Sequence, residues 1–185
     1  MPVRLVVLAS GSGTTLQALI ESFGDHVVAA GTDRPESHAM RRAQAAGIET
    51  FAVALADYAD RTAWNAALAQ RIASYRPDLV VLAGFMKILD RQVVDRFSVI
   101  NTHPALLPAF PGAHAVRDAL AHGVQISGVT VHRVDSGVDT GPILAQAAVE
   151  VRPGDDEAAL QARIQSVEKP LYIATIRQLI EELSA

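Results

Sequence analysis

Apolar positions along the chain follow two alternating periods. Val3 to Ala9 is a continuous apolar run holding one charge, the pattern of a strand covered on both faces. The run breaks at Ser10-Gly11-Ser12-Gly13-Thr14-Thr15, after which Leu16 to Phe23 takes helical spacing. His26 to Gly31 predicts a second strand, Asp33-Arg34-Pro35 a turn, and Ser37 to Ala46 a helix that Gly47 stops. Ile48 to Val53 predicts a third strand. From Asp57 to Tyr75, Trp64, Leu68, Ile72 and Tyr75 form one stripe of an amphipathic helix, and Pro77 closes it. Leu79 to Ala83 is a fourth strand, almost wholly apolar.

The order strand-helix, repeated with short connections and doubly buried strands, specifies a doubly wound, Rossmann-like α/β sheet. Beyond it, Asp90 to Phe97 predicts a short helix, Ser98 to Asn101 a fifth strand and Ala113 to His122 another helix. Ile126 to Val134 alternates, Val129 and Val131 against Thr130 and His132, as an antiparallel strand does. Asp135 to Gly141 joins it to a partner strand, Pro142 to Val151. The parallel N-terminal half therefore gains an antiparallel extension in the C-terminal half. Asp155 to Leu183 is helical, with Leu160, Ile164 and Val167 on one face, and Pro170 is expected to divide it into two helices. No repeat or linker interrupts the 185 residues, so one domain is expected.

Composition narrows the class. Apolar residues make up 50% and charged ones 19%, a globular rather than a disordered balance. A net charge of -4 without a basic cluster argues against a nucleic-acid binder. The absence of cysteine excludes a disulfide framework, thiolate catalysis and a cysteine zinc site, and it suits a reducing compartment. The apolar runs are too short to cross a bilayer, and the N-terminus shows no signal-peptide pattern. A cytoplasmic protein is expected.

In such sheets ligands sit beyond the carboxyl ends of the strands. The first of these loops has the makings of an anion site. Gly11 and Gly13 allow close approach, Ser12, Thr14 and Thr15 add hydroxyls, and helix amides and dipole point the same way. It is no Walker A loop, since Gly-Lys-Ser/Thr is missing. Leu16 stands where a dinucleotide fingerprint has its third glycine, although Asp33, about 20 residues beyond Gly13, matches the ribose-binding acid. A tight turn without a ligand explains a lone Gly-x-Gly equally well. The next candidate loop is Gly84-Phe85-Met86-Lys87. Further on, Asn101 and His103 are two apart, so they share one face at the end of the fifth strand. Pro104 ends the pairing there. A stiff loop with Pro108 and Pro111 follows, with His114 close behind. Asp139 lies in a glycine-bounded loop. An amide, an imidazole and a carboxylate that converge can manage a proton and a developing oxyanion. Other residues have plainer readings: Trp64 as core, Arg61 as a solvated cation that gains nothing from a helix start, and His26, His38 and His122 as surface histidines.

At Asn101-x-His103-Pro104 with Leu106-Leu107-Pro108 and Pro111-Gly112, then Gly128-Val129-Thr130-Val131-His132 and Asp139-x-Gly141-Pro142, the sequence resembles the folate-dependent formyltransferases. It is most similar to those acting on glycinamide ribonucleotide. The likeness begins at Ser10 to Gln17, includes Ala83 to Leu89, and covers essentially the whole chain.

The resemblance implies a single formyltransferase domain over 1–185, with a phosphate-binding parallel half over 1–100 and a catalytic, folate-binding half over 101–185. It implies transfer of the formyl group of 10-formyltetrahydrofolate, a co-substrate, to the amine of glycinamide ribonucleotide in purine synthesis, without a metal. Asn101 and His103 would be the oxyanion donors, and Asp139 would keep His103 protonated and help move a proton. Gly11, Ser12, Gly13, Thr14 and Thr15 would bind the substrate phosphate, with Pro104 and Glu168 near the ribonucleotide. Arg61, Met86, Lys87, Ile88, Leu89, Asn101, Val138 and Asp139 would contact the formyl donor. Lys87, Ala105 and Ile173 depart from the Arg, Ser and Pro of many relatives, which bears on fine specificity. Length disfavours methionyl-tRNA formyltransferase and formyltetrahydrofolate hydrolase, each of which carries an extra domain. A nucleotide-binding module without catalysis would leave Asn101, His103 and Asp139 unexplained. The partners expected are small molecules, neither nucleic acid nor membrane, and the exposed hairpin allows a homodimer.

Overall fold

The first apolar run becomes β1 (Leu5–Leu8), every side chain of which is buried. The computed structural model describes residues 2–185, which fall into two compact units: the chain up to Ile100 with Ile180–Ala185, and Asn101–Leu179. In the first unit β1 lies between β2 (Val27–Thr32) and β4 (Leu79–Leu82), with β3 (Thr50–Ala52) outside β2 and β5 (Val99–His103) beside β4. All four pairings are parallel. Parallel neighbours need crossovers, supplied by α1 (Thr14–Phe23), α2 (His38–Ala45), α3 (Arg61–Ser74) and α4 (Arg91–Val94). Covering both faces is what makes strands β1 and β4 wholly apolar.

The expected helix starts are corrected by their caps. α3 begins at Arg61, because the Asp60 carboxylate accepts from the Ala63 amide at 2.8 Å and fixes the first turn there. Residues 55–57 form a separate 3₁₀ turn. α4 shortens to one turn from Arg91, where Asp90 accepts from the Gln92 amide. Trp64, Leu68, Ile72 and Tyr75 are buried as their spacing requires, and Trp64 Nε1 donates to the Val53 carbonyl at 2.8 Å.

In the second unit the end of β5 lies beside β6 (Ile126–Arg133), which pairs antiparallel with β7 (Ile143–Glu150). The expected parallel half and antiparallel extension are both present. α5 (Ala115–His122) and α6 (Glu157–Ser184) complete the elements. Val116, Val129, Val149, Leu160 and Ile164 form a core here.

β6 is the antiparallel strand that its alternation predicts, and its polar positions Ser127, Thr130 and His132 are buried along with Val129 and Val131. Thr130 shows why: its Oγ1 donates to the Ala105 carbonyl at 2.7 Å and accepts from the Leu107 amide at 3.0 Å, so a polar face is covered by a polar loop. Pro170 does not divide the last helix, which runs unbroken through it. Pro170 and Ser166, whose carbonyl loses its donor to the ring, are both exposed residues, and buried side chains before and after them keep the helix in place. Among the described residues, no helix is long and apolar enough to cross a membrane.

Candidate active site

Strand period places Asn101 and His103 on one face of β5 and Thr102 on the other. His103 is 4% exposed. Its Nδ1 lies 3.3 Å from Asp139 Oδ2, and its Nε2 lies 2.8 Å from the Phe110 carbonyl oxygen. A carbonyl and a carboxylate only accept, so both ring nitrogens face acceptors, the setting that suits an imidazolium. Asp139 is held in turn by the Gly112 amide, which donates to Oδ2 at 2.8 Å. Its backbone has φ +56, a left-handed conformation rare for a side chain with a Cβ.

β6 brings a second imidazole into this cluster. His132 is buried, and its Nδ1 donates to the Arg133 carbonyl at 2.9 Å. Its Nε2 lies 3.5 Å from Asn101 Nδ2 and 3.6 Å from Asp139 Oδ1. As a neutral ring it offers a lone pair to the amide; as a cation it offers a proton to the carboxylate. On the opposite face of β5, Thr102 Oγ1 donates to Glu168 Oε1 at 2.9 Å. Burial lifts the Glu168 carboxyl above the ordinary range, with the Thr102 hydrogen bond and then Lys169 pulling it back.

In the first unit, residues 10–13 join β1 to α1. Gly13 has φ +74, and a Cβ on it would come within 2.5 Å of Ala39 Cα, so only glycine fits against α2. The Gly11 carbonyl accepts from the Ala39 amide at 3.1 Å, and the Ser12 carbonyl accepts from Arg42 Nε at 2.9 Å. In a planar trans peptide the N–H points opposite to the C=O. The amides of Ser12 and Gly13 therefore point away from α2. The amides opening α1 have no carbonyl a turn earlier to bond, and among the described residues no side chain caps them. A row of open N–H groups at the positive end of a helix dipole is an anion cradle.

Also in this unit, Arg61 donates to the Ile88 carbonyl and lies over the Trp64 ring at 5.5 Å. It is not a free solvated cation. Met86 and Ile88 are exposed, at 69% and 60%, while Leu89 and Phe85 are buried.

A sequence model of the formyl transferase family matches residues 3–176. The chain is 52% identical over 184 residues to phosphoribosylglycinamide formyltransferase of Mycobacterium tuberculosis (strain ATCC 25618 / H37Rv), spanning 96% of this chain and 85% of that protein. The chain belongs to the formyl transferase family. It is 37% identical over 177 residues to phosphoribosylglycinamide formyltransferase of Escherichia coli (strain K12), covering 92% of this chain and 84% of the other. Its fold superposes on the crystal structure of glycinamide ribonucleotide transformylase 1 from Symbiobacterium toebii with a TM-score of 0.94, at 42% identity over 98% of this chain and 89% of that one.

In this formyltransferase Asp139, distant in sequence, meets His103 in the second unit, and His132 links it to Asn101. Pro104 follows directly and is partly buried, and Val138 is exposed beside Asp139. Gly11 to Thr15 form one loop, and Arg61 meets the 86–89 segment. Leu89 faces the core, so its backbone rather than its side chain is what it can offer a ligand. Asp33 does not stand ready for a ribose: it is buried and bonded to Ser10 and Lys87. His132, which no expectation placed at the site, joins it beside Asn101 and Asp139, and its motif and its alternation with Thr130 are the sequence signal for it. The Phe110 carbonyl and the Gly112 amide are backbone groups that no side-chain pattern reveals.

Proposed function

We propose that this formyltransferase moves the formyl group of 10-formyltetrahydrofolate to the primary amine of glycinamide ribonucleotide, giving formylglycinamide ribonucleotide and tetrahydrofolate. The observation that carries this reading is Asp139 Oδ2 at 3.3 Å from His103 Nδ1, on the strand face shared with Asn101. The amine nitrogen bonds to the formyl carbon, whose carbonyl becomes a tetrahedral oxyanion. The bond from that carbon to the folate nitrogen then breaks, and one proton passes from the amine to the departing nitrogen. The Asn101 amide and the charged His103 ring stabilise the oxyanion, and Asp139 holds the ring and assists the proton transfer. Such preorganised donors supply on the order of 10²–10³ in rate each.

The amides and hydroxyls of Gly11, Ser12, Gly13, Thr14 and Thr15 hold the phosphate, while Pro104 and Glu168 contact the ribonucleotide. Arg61, Met86, Lys87, Ile88, Leu89, Asn101, Val138 and Asp139 contact the formyl donor. Phosphate recognition is assigned to residues 1–100 and the chemistry to 101–185, and the enzyme to the cytoplasm, which a cysteine-free chain suits. Mixing the protein with both substrates and following the deformylated folate by absorbance tests the reading. Turnover that depends on the amine is expected; loss of the formyl group to water regardless of the amine overturns it.

A further inference from the structure

Asp33 takes no part in the chemistry above, yet it is buried, only 6% exposed. Three groups meet there. The Ser10 hydroxyl donates to Asp33 Oδ1, and Lys87 Nζ lies 3.3 Å from Oδ2. The Met86 amide donates to Ser10 Oγ at 2.9 Å. Ser10 itself is buried, and its own amide donates to the Gly84 carbonyl at 3.1 Å.

A carboxylate only accepts, so Asp33 decides which way the Ser10 hydroxyl points. With its hydrogen turned to Asp33, the oxygen presents lone pairs to the Met86 amide. Ser10 thereby grips the turn at two places, the Gly84 carbonyl and the Met86 amide, and Gly84 takes the φ of +73 that this turn requires. Asp33 adds a third fastening through Lys87. The side chains of Met86 and Ile88 stay exposed while the backbone beneath them is tied down. A charge-assisted pair this buried is costly to break from one side, because the remaining charge is left without a partner.

We propose that Asp33 and Ser10 are positioning residues for the formyl donor. They hold the 86–89 segment in one arrangement and join it to the start of the phosphate loop, of which Ser10 is the first residue. This rests on the reading of 86–89 as a donor-binding segment. Lys87, whose ammonium lies beside Asp33, belongs to the same fastening.

The test is steady-state kinetics on Asp33→Asn, Ser10→Ala, Lys87→Met and Ile88→Ala, each checked for folding by far-UV circular dichroism and thermal melting. Asp33→Asn turns a second donor toward Lys87. It should raise the donor KM roughly tenfold, with the amine KM and kcat within about twofold. Ser10→Ala and Lys87→Met should move the donor KM the same way. If Asp33→Asn does not fold, the Ser10 and Lys87 variants decide the question by the same criterion. Equal increases in both KM values for Asp33→Asn would show a general structural role and overturn the proposal. An unchanged donor KM in the network variants, with Ile88→Ala raising it, would also overturn the proposal while leaving the donor segment in place. If Ile88→Ala and the network variants all leave the donor KM unchanged, the donor-segment reading itself fails, and this proposal with it.

Discussion

His103 has an acceptor at each ring nitrogen, Asp139 on one side and the Phe110 carbonyl on the other. The oxyanion-donor role proposed for this ring predicts an effect on the transition state far greater than on ground-state binding. His103→Ala is expected to lower kcat by about 10²–10³ with both KM values nearly unchanged, measured by single-substrate titrations. Asn101→Ala should cost a similar factor, and the double variant less than the product of the two, because both are proposed to serve one oxyanion. Glu168 gives a prediction of a different kind. Its folded carboxyl binds the proton more tightly than in the unfolded chain, so this group's stabilising contribution is complete below its ordinary value of 4.5 and is lost as pH rises through the raised value. Urea unfolding across pH should show Glu168→Gln with a flatter slope above 4.5 and greater stability at neutral pH than wild type. An amine KM that also rises would place the carboxylate at the ribonucleotide.

Among elements, α2 shapes the glycine loop proposed to hold the phosphate, without belonging to it. Its Ala39 amide and Arg42 guanidinium hold two successive carbonyls, and peptide planarity does the rest. Arg42→Ala should raise the amine KM severalfold and leave the donor KM alone, since one misdirected amide weakens phosphate binding by about one hydrogen bond to a charged group. Gly13→Ala meets both a left-handed backbone and Ala39, so it should cost about 2–4 kcal/mol of stability in a denaturant titration as well as phosphate affinity. Element boundaries were legible where one residue decides them and blurred elsewhere. Asp60 and Asp90 mark helix starts through their caps, but the apolar stripes ran past those points. β5 extends to His103, two residues beyond the strand end expected at Asn101, because pairing does not require apolar side chains.

At the scale of the whole molecule, two buried assemblies are built on different rules. In the first unit the parallel strands are apolar on both faces, and the sequence says so directly. In the second, β6 is equally buried but carries Ser127, Thr130 and His132. Thr130 and His132 have partners. Among the described residues, the Ser127 hydroxyl is a buried side-chain group without one. Ser127→Ala is therefore expected to raise stability by about 1 kcal/mol in chemical denaturation, since it removes an uncompensated desolvation cost. The unbroken α6 belongs to this scale too: burial along its length outweighs the local interruption at Pro170.

The sequence by itself determined the order of elements, the parallel half with its antiparallel addition, the glycine loop and the shared face of Asn101 and His103. These follow from periods, glycines and prolines, which act over a few residues. Only the tertiary structure decided that Asp139 and His132 close on His103 and Asn101, that Arg42 turns the Ser12 carbonyl, and that Asp33 binds Ser10 and Lys87. Those contacts join segments distant in sequence, and no local pattern encodes which distant side chain fills a partner's hydrogen bonds. That choice is made when buried polar groups, which cannot be left unpaired, find one another as the sheet and its loops pack.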